Sequence, residues 1–142
     1  MSLSSLHVHL VFGTKHRKPL ITPELRPRLH AYLGGIAREL SAKAVIVNGM
    51  ADHVHMLVTM PATLSVSELA RVLKANSSRW AGADFGWQAG YAAFTVSTSN
   101  MPGVVAYIRD QEQHHRERSY EDDLIALLEK HGVSYDPAYL WN

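Results

Sequence analysis

His53-Val54-His55-Met56-Leu57-Val58-Thr59-Met60 is the stretch around which the chain organises itself. Two histidines at i and i+2 sit in an apolar run, and on a strand that spacing projects both imidazoles from one face. Side by side, they can ligate one metal ion. The same spacing occurs in plain hydrogen-bonded pairs, and His7-Val8-His9 repeats it upstream, so spacing alone does not choose between the two pairs. Downstream, Tyr107 and Gln111 are four residues apart, which makes them neighbours on one face of a helix, able to approach a metal together. A tyrosine on an amphipathic helix ordinarily packs its ring and sends its hydroxyl to water. Beside a metal, however, a phenolate suits phosphodiester transesterification.

The segments on either side set the order of elements. Residues 6–12 alternate Leu6, Val8, Leu10 and Phe12 against His7, His9 and Val11, the period of a half-buried strand. A helix is expected from Thr22, capping Pro23, to about Leu40, with Pro27 distorting its early turns. Residues 44–48 and 53–60 read as strands joined by a turn, and Ser65-Val66-Ser67-Glu68 is a capping box opening a helix to about Trp80. Residues 81–90 read as a loop and 91–97 as a strand. Asn100-Met101-Pro102 opens a third helix that bears Tyr107 and ends near Arg116. Ser119 caps a fourth, which Gly132 stops. The tail of residues 135–141 is aromatic enough to dock. Strand, helix, strand, strand, helix, strand and two helices give an α+β fold. It is the ferredoxin-like split β-α-β, an antiparallel four-stranded sheet with C-terminal helices. Its first and third strands are central neighbours, so His7, His9, His53 and His55 share one face if Leu6, Val8, Leu10, Val54, Met56 and Val58 face the packing helices.

At 142 residues the chain is expected to be one domain, 1–142. The absence of cysteine excludes disulfides, thiolate metal sites and a cysteine nucleophile, so any metal is held by nitrogen and oxygen. No apolar run reaches the length of a membrane span, and Met1-Ser2-Leu3-Ser4-Ser5 lacks the features of a signal peptide. A soluble, cytoplasmic protein is expected. A net charge of +1 does not announce a nucleic-acid binder, but cations cluster at Lys15-His16-Arg17-Lys18, and Lys74 and Arg79 flank Asn76-Ser77-Ser78. His114-His115 with Arg116 and Arg118 form a further basic cluster near Tyr107.

Several stretches together resemble the single-tyrosine HUH transposases of small bacterial insertion sequences (IS200-like), near the REP-associated tyrosine transposases. They are Val8-His9-Leu10-Val11-Phe12, Thr14-Lys15-His16-Arg17, Asp52-His53-Val54-His55-Met56-Leu57-Val58, Leu73-Lys74, Ser77-Ser78-Arg79-Trp80, Gly90-Tyr91-Ala92-Ala93-Phe94, Tyr107-Ile108-Arg109-Asp110-Gln111, His131-Gly132-Val133 and Tyr139-Leu140-Trp141. His16 stands where such relatives often carry an aromatic residue.

The resemblance implies a DNA transposase that cleaves and rejoins single-stranded DNA through a 5′-phosphotyrosine. In it Tyr107 is the nucleophile, and His53, His55 and Gln111 ligate Mg²⁺ or Mn²⁺. His7, His9 and His114 become supporting neighbours that orient DNA or a ligand. The implied partners are DNA with hairpin ends and a second copy of the chain, a homodimer in which the tyrosine helix can dock against the partner's histidines. Lys15, Arg17, Lys18, Lys74 and Arg79 are candidate phosphate contacts. The rival readings are a non-catalytic ferredoxin-like nucleic-acid module, a metal-dependent hydrolase using water, and a domesticated relative that processes chromosomal repeats.

Overall fold

A computed structural model describes residues 1–138, 140 and 141. The elements run β1 (His7–Gly13), α1 (Leu25–Glu39), β2 (Lys43–Met50), β3 (His53–Thr59), α2 (Val66–Ala81), β4 (Ala92–Val96), α3 (Met101–Arg109), α4 (Gln111–His114) and α5 (Tyr120–Lys130). The strands form one antiparallel sheet in the order β2-β3-β1-β4, with β1 and β3 central as the split β-α-β order requires. Among the described residues, no helix is long and apolar enough to cross a membrane.

Strand alternation sorts the two faces of this sheet. Val8, Leu10, Phe12, Val54, Met56 and Val58 join Leu29, Leu33, Leu69 and Leu73 of α1 and α2 in the main core. Each such side chain, fully buried, contributes about 1.5–3 kcal/mol. The opposite face carries His7, His9 and Val11 opposite Thr59, Leu57 and His55, with Gly13 opposite His53. Helices α3 and α5 cover it through two smaller apolar clusters, one around Leu57, Val96 and Ile108, the other around Val11, Phe94, Tyr120, Leu124 and Leu128. The four histidines therefore share a face, as the alternation predicts.

Several local expectations are corrected. Leu6 precedes β1 and is exposed. Pro27 does not distort α1, because that helix begins at Leu25 after Thr22 caps the Leu25 amide at 3.2 Å. In the first turn an amide lacks an intrahelical partner anyway, so a proline there sacrifices nothing. Helix α2 begins as expected, with Ser65 Oγ accepting from the Glu68 amide at 3.1 Å, worth about 1 kcal/mol. The Glu68 carboxylate turns outward to Arg71 instead of back to the cap. The third helix does not run unbroken to Arg116, since it stops at Asp110 and restarts as α4.

Strand β2 supplies a physical cause for that break. A bulge between Ala44 and Ile46 turns both Val45 and Ile46 toward the α3 side, while Ala44 and Val47 face the main core. Beyond it, Asn48 lies opposite His55, and its amide donates to the carbonyls of Ile108 and Arg109 at 2.9 and 3.1 Å. These carbonyls are thereby satisfied from outside the helix, and the end of α3 is pinned over the histidine face. The link from β4 to α3 contains a single 3-10 turn, Thr98–Asn100, with Gly103 already inside α3. In the tail, Tyr135, Leu140 and Trp141 pack on the α5 cluster, while Tyr139 lies outside the described residues.

Candidate functional site

The histidine face becomes a site where β3 passes under α3, α4 and α5. His53 and His55 are buried, at 1% and 0% exposure. His53 Nδ1 donates to Asp52 Oδ1 at 2.7 Å, which leaves its Nε2 as a lone pair. Burial works against the Asp52 carboxylate, yet the hydrogen bond from His53 helps to outweigh it and hold its pKa below the usual value. His55 Nδ1 meets His9 Nε2 at 2.8 Å, and His55 Nε2, although buried, has no hydrogen-bond partner. His115, just after α4, donates from Nδ1 to the Arg118 carbonyl at 2.7 Å, so its Nε2 is also a lone pair.

Ligand atoms of His53, His55 and His115 lie within 4.8 Å of one another. Gln111 Nε2 donates to the Tyr107 carbonyl at 3.2 Å, which turns Oε1 toward the imidazoles. That oxygen stands 2.8 Å from His115 Nε2 and 3.2 Å from His53 Nε2. With the His53 and His115 tautomers assigned from these hydrogen bonds, their Nε2 atoms meet Gln111 Oε1 as acceptors, an arrangement that a shared cation satisfies. The donor set, imidazole nitrogen and amide oxygen, thus fits a divalent metal ion, and the orphaned His55 Nε2 is the atom that such an ion would satisfy.

Tyr107 stands over these histidines of its own chain, its ring centroid 5.5 Å from that of His55 and 5.9 Å from that of His9. Its hydroxyl donates to Asp123 Oδ2, and Asp123 Oδ1 accepts from His114 Nε2 at 2.8 Å. The same carboxylate reaches 3.8 Å from His55 Nε2 and 3.9 Å from His115 Nε2. Burial and the Asp123 carboxylate hold the Tyr107 proton far more tightly than in water, with Arg118 pulling weakly the other way. Tyr120 closes the opposite side, stacked on His53 at 4.3 Å between centroids. Gly13 makes room for it, because a Cβ there would lie 3.0 Å from the Tyr120 ring and 2.5 Å from Gln88 Oε1.

Of the two competing pairs, His53 and His55 both point into this cluster. His9 supports it through His55, whereas His7 sits at the far end of β1, about 13 Å along the strand from Val11, bonded to Thr59 Oγ1 at 3.0 Å. His114 holds Asp123. Sequence reasoning placed His115 only in a basic cluster near Tyr107 and assigned no role to Asp123, Tyr120 or Asp52. His115 was legible as the i+4 neighbour of Gln111, but Asp123 and Tyr120 arrive only by tertiary packing of α5.

The candidate phosphate contacts fare unevenly. Lys74 Nζ donates to the carbonyls of Gln88 and Gly90, both at 2.7 Å, and burial lowers its pKa. Arg17 lies over the Trp141 ring at 4.9 Å and 3.6 Å from Glu121. Arg79 donates to Asn76 Oδ1 at 3.2 Å. Lys15 and Lys18 are exposed, with Lys15 in a shallow groove beside Trp87.

Burial of neutral imidazoles has a consequence for acid stability. Desolvation lowers the His9 pKa to about 4 and holds that of His55 well below the ordinary 6.5. The unfolded chain then binds protons that the folded chain refuses. In metal-free protein, stability is expected to be complete above about pH 6.5 and to fall as pH drops toward 4. A melting temperature that stays level across that window would contradict neutral burial.

Comparison with known proteins gives concordant results. The sequence profile of the family described as "Transposase IS200 like" matches residues 2–111. The ISDra2 transposase TnpA of Deinococcus radiodurans is 26% identical over 125 residues, covering 79% of this chain and 86% of that protein. The transposase for insertion sequence element IS200 of Salmonella typhimurium is 29% identical over 114 residues, covering 72% and 74%. A solved REP-associated tyrosine transposase bound to a REP hairpin shares the fold, with a TM-score of 0.65 at 17% identity over 81% of this chain and 71% of that one.

Proposed function

The chain belongs to the IS200-like transposase family, and from that premise we propose that it cleaves and rejoins single-stranded DNA with Tyr107 as the nucleophile. The observation that carries this reading is the Tyr107 hydroxyl held beside a cluster of imidazole and amide acceptors within one chain. Tyr107 Oη would attack the scissile phosphorus, forming a phosphotyrosine bond while the bond to the 3′-oxygen breaks. The DNA then carries a 5′-phosphotyrosine on one fragment and a 3′-hydroxyl on the other. Attack by a 3′-hydroxyl reverses the exchange, one phosphodiester replacing another, so resealing needs no external energy source.

The residues divide this work. Asp123 Oδ2 already accepts the Tyr107 hydrogen bond and is placed to take the proton, with His114 sharing the carboxylate from the other side. His53, His55 and Gln111, joined by His115, would hold Mg²⁺ or Mn²⁺, which when bound polarises a phosphoryl oxygen and stabilises developing charge. Asp52 and His9 orient the two strand histidines, and Tyr120 excludes water from one side of His53. DNA folded into hairpins near the ends of an element is the proposed substrate form.

The test is direct. The protein incubated with single-stranded oligonucleotides from the flanks of its gene should form an adduct that survives a denaturing gel. Product released without any adduct would instead favour water as nucleophile.

The position of Tyr107 over its own histidines supports assembly of the site in cis, without a docked partner helix. A His53→Ala/His55→Ala protein mixed with a Tyr107→Phe protein is then expected to stay inactive at every ratio. Tagged chains must show that subunits, if paired, exchange. Recovery of cleavage in the mixture would establish the shared-site homodimer instead.

A further inference from the structure

Between α3 and α5 an open cleft of about 590 Å³ leads down to Tyr107, His9 and Asp123. We propose that this cleft holds the single-stranded DNA segment adjoining the scissile phosphate, with Arg118 and Lys130 taking its phosphates. The inference rests on the nicking and rejoining reading above and adds to it a route and two contact residues. Both lie beyond residues 2–111, the stretch shared with the family profile.

Access is the first argument. The imidazoles of His53 and His55 are buried, whereas Tyr107, His9 and Asp123 line an open cleft, so the cleft is the route by which a phosphodiester approaches Tyr107. The cleft supplies the opening, and its volume falls in the range of about 300–1,000 Å³ that small ligands of nucleotide size occupy. Tyr107 and Asp123, joined by their hydrogen bond, both line it, so a phosphate held there lies beside the proposed reacting residue.

Charge is the second argument. Arg118 and Lys130 line the cleft, are exposed, and take part in no ion pair among the described residues. By contrast Lys74 is spent on two carbonyls and Arg17 on Trp141 and Glu121. None of Lys15, Arg17, Lys18, Lys74 and Arg79 lines the cleft. Ser99 and Asn100, in the turn before α3, also line the cleft and can offer hydrogen bonds to a base or sugar. Cations that take phosphates, with uncharged groups left for the bases, are the division of labour that nucleic-acid sites use.

The experiment uses the full chain carrying Tyr107→Phe, so that binding is read without cleavage. A labelled single-stranded oligonucleotide is titrated at a series of salt concentrations. Arg118→Ala and Lys130→Ala should each weaken binding at low salt, about tenfold, and together lower the slope of log K against log salt by about 1.4, since each lost single-strand phosphate contact removes about 0.7. Arg38→Ala/Lys43→Ala, at exposed positions of α1 and β2 away from the cleft, should leave the slope unchanged. An unchanged slope in the Arg118→Ala/Lys130→Ala protein, or an equal fall in the Arg38→Ala/Lys43→Ala protein, would overturn the proposal. Both residues are exposed, so circular dichroism should show an intact fold. The two readings fail separately, because a chain that forms no tyrosine adduct refutes the chemistry, whereas the slope judges the cleft.

Discussion

Tyr107→Phe is expected to abolish the covalent DNA adduct and all strand cleavage, a fall of at least about 10⁴-fold, because it removes only the attacking oxygen. The ring still packs between α3 and the sheet, in contact with His9, His55 and His114. What the fold loses is one hydrogen bond to Asp123, about 1–3 kcal/mol for a buried acceptor, and His114 still satisfies the other carboxylate oxygen. The variant should therefore melt a few degrees lower, bind single-stranded DNA like the parent and form no adduct. Cleavage persisting at the parent's rate would exclude Tyr107 as nucleophile and move the chemistry to a water held near the imidazoles.

Metal affinity provides the second large effect. His53→Ala or His55→Ala should weaken Mn²⁺ binding by 100-fold or more, on the order expected when one ligand of a small set is lost. His115→Ala should also bind more weakly, because its Nε2 lies among the acceptors around Gln111 Oε1. His9→Ala, which removes only the support of His55 Nδ1, should cost about 10–100-fold. His7→Ala should change nothing, since that imidazole is bound to Thr59 at the far end of the strand. Direct titration monitored by the Mn²⁺ signal checks the order independently of cleavage. Equal losses at His7 and His53 would overturn the assignment of the site to β3.

Sequence periodicity fixed which side of each strand is wet or dry. The alternation in residues 6–12 and 53–60 placed four histidines on one face, because a pleated strand leaves its side chains no other choice. It could not tell His7-Val8-His9 from His53-Val54-His55, since both have the same spacing. The register settles their positions. Gly13 lies opposite His53 and His7 opposite Thr59, so His53 and His7 stand at opposite ends of the face with His55 and His9 meeting between them, and Gln111 and His115 gather at the His53 end.

The i+4 spacing of Tyr107 and Gln111 proved informative for a reason that helix periodicity does not contain. The helix breaks at Asp110 between them, and what joins the two residues is the Gln111 side chain donating to the Tyr107 carbonyl. The break itself traces to Asn48, sixty residues away in sequence from Ile108 and brought to the carbonyls by the bulge in β2. No local propensity encodes such a contact.

By itself, then, the sequence determined the order of elements, the two faces of the sheet, the residue types able to hold a metal, and a resemblance strong enough to identify the family. Those properties depend on period, on capping and on chemical identity, all of which are local. The tertiary structure alone decided that His115 joins the two strand histidines, that Asp123 receives the Tyr107 hydrogen bond, and that Lys74 and Arg17 are already engaged. It also set Arg118 and Lys130 on the cleft above Tyr107. Each of these relations joins segments far apart in the chain, and they meet because the apolar faces of α3 and α5 have nowhere to be buried except against the histidine side of the sheet.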